Sequence, residues 1–254
     1  MTVAVFGCGF VGTAVADWLE ANTDRIVLRV DPKFDWYDPQ EAVLHAQDVI
    51  VCVPTPSKPD GSCDDSIVQE VLELCDPRHR VLIKSTVTPD LLDAYDPNVC
   101  YNPEFLRAAH AAEDFRTQEM LIIGHHDNNI DDAIHWSKLF NKLPAAPVFM
   151  NRKTASMVKY AHNAWLATKV AWFHELYNNL PPGVDYTHLT NTLGVMENIG
   201  PSHMGIWNSN LGYGGHCFPK DVEALTNYVN HSILEQVKKT NETLNETTIQ
   251  RSIL

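Results

Sequence analysis

Residues 3–16 read Val3-Ala4-Val5-Phe6-Gly7-Cys8-Gly9-Phe10-Val11-Gly12-Thr13-Ala14-Val15-Ala16. An apolar, β-like run leads into Gly-x-Gly-x-x-Gly and then into a helical pattern. A glycine triplet alone says little. Here a second apolar run, residues 26–30, follows the helix and is closed by Asp31 about twenty residues past the motif, the spacing of a dinucleotide-binding βαβ unit. In that setting Gly7 makes the tight turn, Gly9 lets a pyrophosphate approach the backbone, and Gly12 lets helix and strand pack closely. Phe10 and Val11 open the helix whose N-terminus receives the phosphates. Asp31 can accept hydrogen bonds from ribose hydroxyls and would repel a 2′-phosphate, so the expected cofactor is NAD rather than NADP. Lys33 nearby weakens that preference.

Strand and helix signals keep alternating. Residues 49–53 form an apolar run that ends at Pro54-Thr55-Pro56, and residues 81–83 repeat the pattern before Lys84-Ser85-Thr86-Val87-Thr88-Pro89. Residues 98–101 and 120–123 read as two more strands, the second ending at Gly124. Ligands in such sheets bind outside the carboxyl ends of the strands. Pro54, Thr55, Ser85 and Thr86 are therefore expected on the cofactor side of one cleft, which residues 54–57, 85–86 and 102–104 should ring. The predicted fold class is α/β: a Rossmann-type doubly wound parallel sheet over residues 1–150, followed by a helical central domain over residues 151–254.

The second half is different in character. Residues 154–180 hold no Gly or Pro and carry Met157, Val158, Ala161, Trp165, Leu166, Val170, Phe173 and Leu176 near helical spacing. A helix of that length, roughly 40 Å, suits a spine between domains or the core of a homodimer, with Lys159 accessible on the cleft side. Residues 188–207 look helical but glycine-interrupted, residues 219–239 read as one helix, and the last fifteen residues as a frayed polar tail.

With 254 residues, 44% of them hydrophobic, the chain can build a substantial core. The formal charge of −13 argues against nucleic acid and anionic membranes as partners. The opening residues lack a basic n-region and carry Asp17 and Glu20, and no run is long enough to span a bilayer. Six scattered cysteines without CxxC pairs fit a reducing cytoplasm, which makes the glycosylation-type triplets at Asn230, Asn241 and Asn245 chance occurrences.

The chemistry concentrates at residues 212–221, Gly212-Tyr213-Gly214-Gly215-His216-Cys217-Phe218-Pro219-Lys220-Asp221. Small residues let the backbone approach a ligand, and Pro219 suits a first helical turn. A thiol at that junction meets unpaired N–H groups and the positive end of a helix dipole, which favour the thiolate. The alternative is an inert buried cysteine beside a glycine turn. Lys159 and Asn163 stand one helical turn apart and can aim two donors at an oxyanion, or simply face solvent. Glu104 is a candidate general base or a surface carboxylate. Asp221 can orient a water or stabilise a first turn. The runs at 125–127 and 216–217 invite a metal reading, but adjacent residues rarely converge on one ion and no ligand quartet exists, so no metal is expected.

Taken together, FGCGFVG (6–12) with Asp31, VCVPTPSKPDGSCD (51–64), KSTVTP (84–89), NPEFLR (102–107), TASMVKYAHNAWLATKVAWFHEL (154–176) and GYGGHCFPKDVEAL (212–225) resemble, in order, the UDP-glucose/GDP-mannose 6-dehydrogenase family. The resemblance implies oxidation of a sugar C6 alcohol to a carboxylate by two hydride transfers to NAD. It casts Cys217 as the nucleophile toward the aldehyde, Lys159 and Asn163 as oxyanion donors, and Asp221 as the residue positioning water. Glu104 with Thr86 would assist hydrolysis. Phe105, Leu106 and Arg107, with the loop containing Asn208, Gly212, Tyr213, Gly214 and Gly215, would wrap the nucleotide-sugar substrate. Two departures stand out. Ala108 occupies a position where the family commonly has a second acidic residue. The domain that closes over the sugar nucleotide is not among these residues, so a separate partner chain is expected to supply it. A single-step β-hydroxyacid-type dehydrogenase, and a non-catalytic NAD-binding dimerisation module, are the alternative readings.

Overall fold

Short runs rich in Val, Ile and Leu, too short for helices and bounded by turn residues, become strands. The computed structural model describes residues 1–34, 36–230 and 232–253, without the side chains of 251–253. The chain divides into two compact units, residues 1–58 with 63–159, and residues 59–62 with 160–254.

In the first unit β1 (Thr2–Phe6), β2 (Ile26–Val30), β3 (Asp48–Val51), β4 (Arg80–Ile83), β5 (Val99–Tyr101), β6 (Met120–His125) and β7 (Ala146–Asn151) form one sheet, ordered β2-β1-β3-β4-β5-β6-β7. Alternate residues of each strand serve opposite faces. Val3 and Val5 pack with Val15 and Leu19 of α1 (Phe10–Asn22), and with α5 (Ala111–Thr117) and α6 (Ile130–Leu139). Ala4 and Phe6 pack on the other side with α2 (Pro39–His45), α3 (Ser66–Leu74) and α4 (Pro89–Ala94). This is the doubly wound, Rossmann-like arrangement, and strand order reverses between β1 and β3, the place where such sheets open a crevice.

The sheet is not parallel throughout. β6 meets β5 antiparallel through the pair Tyr101↔Gly124, and β7 then runs parallel to β6. Between β5 and β6 the short α5 docks Phe115 on Trp18 of α1, ring centroids 6.0 Å apart, and the chain re-enters the sheet without the crossover that a parallel pairing requires. The sequence reading had no strand at β7, because Pro147 and largely exposed neighbours hide it; an edge strand tolerates that proline.

The helix α7 (Arg152–Asn178) begins directly after β7. Its first turns belong to the first unit, so the division falls after Lys159 rather than after residue 150. The Ser156 hydroxyl donates to the Val87 carbonyl (2.6 Å), and the Arg152 guanidinium donates to the carbonyls of Tyr95, Asp96 and Val99 (3.1, 2.9 and 3.2 Å).

The second unit holds the rest of α7, with α8 (Tyr186–Gly194), α9 (Phe218–Val229) and α10 (Ser232–Ile253). The single helix expected over 219–239 is two, because Asn230 adopts the left-handed conformation (φ 49, ψ 57) and ends α9. The tail expected to fray is helical to Ile253 and buries Leu244 and Asn241. Residues 195–207, read as helical, lie beyond α8 in turns. No described helix is long and apolar enough to cross a membrane.

Candidate active site and its relatives

At the switch point of the first unit the three glycines have distinct reasons. Gly7 has φ +79, and a Cβ there would lie 2.7 Å from the Cys52 carbonyl carbon; at Gly12 it would lie 1.9 Å from the Gly7 oxygen. At Gly9, the N-cap of α1, a Cβ would meet nothing within 4 Å. The first two allow close packing, and the third leaves an open face at a helix N-terminus, where Phe10 and Val11 begin the first turn. Asp31 is fixed above this turn: its carboxylate accepts from the N–H of Cys8 (2.8 Å) and of Lys33 (2.9 Å). Open backbone, helix N-terminus and an oriented acidic acceptor fit the pyrophosphate and ribose of NAD. The neighbouring loops are tied together, with Thr55 Oγ1 donating to the Thr86 carbonyl (2.8 Å) and Ser85 Oγ to that of Val53 (2.7 Å), while Pro54 is exposed.

The turn after β5 carries a buried ion pair. Glu104 is 8% exposed and Lys159 3%, with Nζ 2.8 Å from Oε1. Lys159 also donates to the Glu104 carbonyl and lies 5.4 Å from the Phe105 ring centre, and the Leu106 N–H holds Glu104 Oε2 (2.8 Å). The accessible Lys159 expected from the sequence is therefore not found; the carboxylate draws it inside. Arg107 points to Asp114 on an exposed flank (2.6 Å), and Ala108 opens an exposed 3-10 turn. One buried group went unassigned by sequence reasoning. Lys84 donates to Asn102 Oδ1 (2.5 Å), whose amide donates to the Ile122 carbonyl (2.7 Å), and burial pulls the Lys84 ammonium down to about 8.

In the second unit Cys217 is the half-buried N-cap of α9, Pro219 lies in the first turn, and the Asp221 N–H donates to the Cys217 carbonyl (2.9 Å). Asp221 is 1% exposed and accepts from Asn163 Nδ2 (2.6 Å) and Lys220 Nζ (2.6 Å). Lys159 and Asn163 thus each have a carboxylate partner, Glu104 for one and Asp221 for the other. Lys220 was missed because neighbours in sequence do not share a helix face, and only the fold reveals the contact. None of the six cysteines is in a disulfide, and burial pushes Cys8 up to about 11 and Cys100 to about 12, unlike chemistry that needs a thiolate. In the glycine loop Asn208, Gly212 and Gly215 have positive φ, and Gly214 and Gly215 have space where a Cβ would stand. Tyr213 is turned inward, 5% exposed, its ring edge-on to Phe218 at 6.4 Å. Among the described residues no three His, Cys, Asp or Glu side chains gather to hold a metal.

Comparison with known proteins agrees with this arrangement. Residues 33–143 match the NAD binding domain, and residues 153–245 the central domain, of the UDP-glucose/GDP-mannose dehydrogenase family. A UDP-glucose 6-dehydrogenase of Rickettsia bellii is 33% identical over 224 residues, 80% of this chain and 50% of that protein. The structure of a UDP-glucose dehydrogenase from Pyrobaculum islandicum superposes with a TM-score of 0.82 at 26% identity, covering 95% of this chain and 68% of that one. A Mycobacterium tuberculosis 3-hydroxyisobutyrate dehydrogenase shares the fold alone, at a TM-score of 0.67 and 16% identity, over 98% of this chain and 94% of that one. The chain spans about half the length of the curated relatives it matches first. Its two matched segments, in the family's order and on the family's fold, make the chain a member of the UDP-glucose/GDP-mannose dehydrogenase family, of which it holds the NAD binding and central domains.

Proposed function

We propose that the chain is an NAD-dependent nucleotide-sugar 6-dehydrogenase acting on UDP-glucose or a close relative, and that it works through covalent catalysis at Cys217. The observation that carries this reading is a half-buried thiol at the head of α9, one turn before an Asp221 that Asn163 and Lys220 hold in place. NAD, when bound, accepts the hydride released in each of two oxidations. Cys217 sulfur adds to the C6 aldehyde carbon, forming a C–S bond and a thiohemiacetal; loss of the second hydride leaves a thioester. Water then attacks that carbonyl, the C–S bond breaks, and the carboxylate leaves with Cys217 restored as thiol. An ammonium has three N–H donors and a primary amide two. Lys159 spends two on Glu104 and Asn163 spends one on Asp221, so each keeps a donor for an oxyanion. Glu104 holds Lys159 in orientation through their 2.8 Å contact, and Asp221 positions the hydrolytic water. Covalent attachment prevents escape of the aldehyde.

Intact-protein mass spectrometry during turnover tests this. Cys217→Ala should lower kcat at least roughly a thousandfold while NAD still binds, and Asp221→Asn should let an acyl adduct accumulate on Cys217. Turnover by Cys217→Ala at the wild-type rate would end the covalent mechanism. The likeness to the 3-hydroxyisobutyrate dehydrogenase fold supports a second reading, a one-step β-hydroxyacid oxidation. That chemistry has no use for Cys217 and reduces one NAD per substrate instead of two. If the wild-type chain turns over no nucleotide sugar alone, a further polypeptide is needed to complete the site, as the module reading requires.

A further inference from the structure

Three successive backbone N–H groups just ahead of the reactive loop end on three side chains from two helices. Leu211 N–H donates to Thr248 Oγ1 (2.7 Å), Gly212 N–H to His174 Nδ1 (2.9 Å) and Tyr213 N–H to Asn241 Oδ1 (2.5 Å). Asn241 also returns a bond, Nδ2 to the Tyr213 carbonyl at 3.1 Å, so it grips both polar groups of one residue. The seam is tight. A Cβ at Gly212, where φ is +84, would stand 2.6 Å from Asn241 Oδ1 and 2.7 Å from Asn245 Oδ1. His174 is 5% exposed and its Nε2 faces the Gly205 carbonyl at 3.1 Å. A carbonyl can only accept, so Nε2 carries the hydrogen and Nδ1 is left as the acceptor that Gly212 needs. Burial lowers the His174 pKa and keeps this neutral form.

Downstream the constraint disappears. Gly214 and Gly215 meet nothing where a Cβ would stand, and Cys217 follows two residues later. A glycine pair offers the chain many conformations. The thiol's position is thus set from its two sides: by α9, which starts at Phe218, and by the grip on residues 211–213, which is passed on through the Tyr213 ring against Phe218. α10, polar and outside every segment read as catalytic or binding, supplies Asn241 and Thr248.

We propose that Asn241, with His174 and Thr248, is a positioning residue for Cys217, fixing the glycine loop so that the thiol meets its electrophile in a productive geometry. This rests on the reading of Cys217 as the nucleophile. The test compares the full-length chain with Asn241→Ala, Asn241→Asp and the near-isosteric Thr248→Val. Amide hydrogen exchange at residues 211–213 and alkylation of Cys217 by iodoacetamide need no sugar substrate; kcat and the KM for NAD are measured where turnover is seen. In Asn241→Ala, exchange should rise at least about tenfold and alkylation at least about threefold, while kcat falls about tenfold or more and the KM for NAD stays within about twofold. Asn241→Asp keeps the acceptor for Tyr213 N–H and should recover most of kcat. A thiol that reacts faster with a free reagent yet slower in turnover, in a chain whose KM for NAD is unchanged, is misplaced rather than unfolded. Should Asn241→Ala fail to bind NAD, Thr248→Val carries the test, with faster exchange at Leu211 expected. Unchanged exchange at 211–213, or faster exchange with unchanged kcat, overturns the proposal. If no sugar is turned over by the wild-type chain alone, a further polypeptide is needed for turnover, and the exchange and alkylation results still decide whether Asn241 holds the loop.

Discussion

Among single residues Lys84 makes the sharpest demand on the fold. It is 3% exposed, it bonds an amide oxygen, and among the described residues no carboxylate forms a salt bridge with it. Burial lowers its pKa from 10.5 to about 8, so the folded state prefers the neutral amine. The sign follows: its contribution to stability is fully present above pH 10.5 and is lost as pH falls through about 8. The stability of wild type relative to Lys84→Met should therefore rise between pH 8 and 10.5, by up to about 3 kcal/mol, in urea denaturation series at the two ends. A difference independent of pH would contradict it. Legibility at this scale followed motif density. Gly7, Asp31, Glu104, Lys159, Asn163, Cys217 and Asp221 sit inside dense local patterns. His174 and Thr248 act on the loop from 38 and 37 positions away, and no local spacing announces such a bond.

At the scale of the element, α7 shows where pattern reading stops. Its apolar spacing gave the helix, but not which stripe faces inward. Ala164, Ala167, Val170, Ala171 and Phe173 are buried, whereas Trp165 (64% exposed) and Trp172 (54%), seven residues apart and so on one side, face outward. Two tryptophans on one exposed stripe suit a partner surface, and a second copy of the chain is the proposed occupant. Light scattering at micromolar concentration should give a dimer, and Trp165→Glu with Trp172→Glu a folded monomer; a wild-type monomer would contradict this. The break between α9 and α10 was hidden for a different reason. Asn230 is an ordinary polar residue in sequence, and only its left-handed φ of 49 reveals a stop signal. β7 was lost to Pro147, whose presence excludes a central strand but not an edge one.

For the whole molecule, cofactor choice is a property of overall stability. With Asp31 fixed by Cys8 and Lys33, NAD at a hundredfold excess over its Kd should raise the Tm by roughly 5–10 °C and NADP by much less. Equal shifts would overturn the assignment of Asp31. The alternation of strands and helices made the fold class of the sheet-bearing first part readable. The unit boundary was not, because Pro59–Ser62 belongs with the later part of the chain. Asn227 Nδ2 donates to the Asp60 carbonyl (2.8 Å) across 167 residues, and Gly61 lies under Glu223 and Asn227 so closely that a Cβ would stand 2.6 Å from Glu223 Cγ. This fixes an order of events on the ribosome. The tetrapeptide is made early, and its partner helix α9 leaves the exit tunnel roughly 10 to 30 s afterwards at about 5–20 residues per second. Until then the loop around Asp60 lacks both contacts with α9, although bonds such as Ser62 Oγ to Asp60 Oδ1 at 2.6 Å can already form, and a nascent chain stalled before α9 would present it to proteases as a cleavable tip.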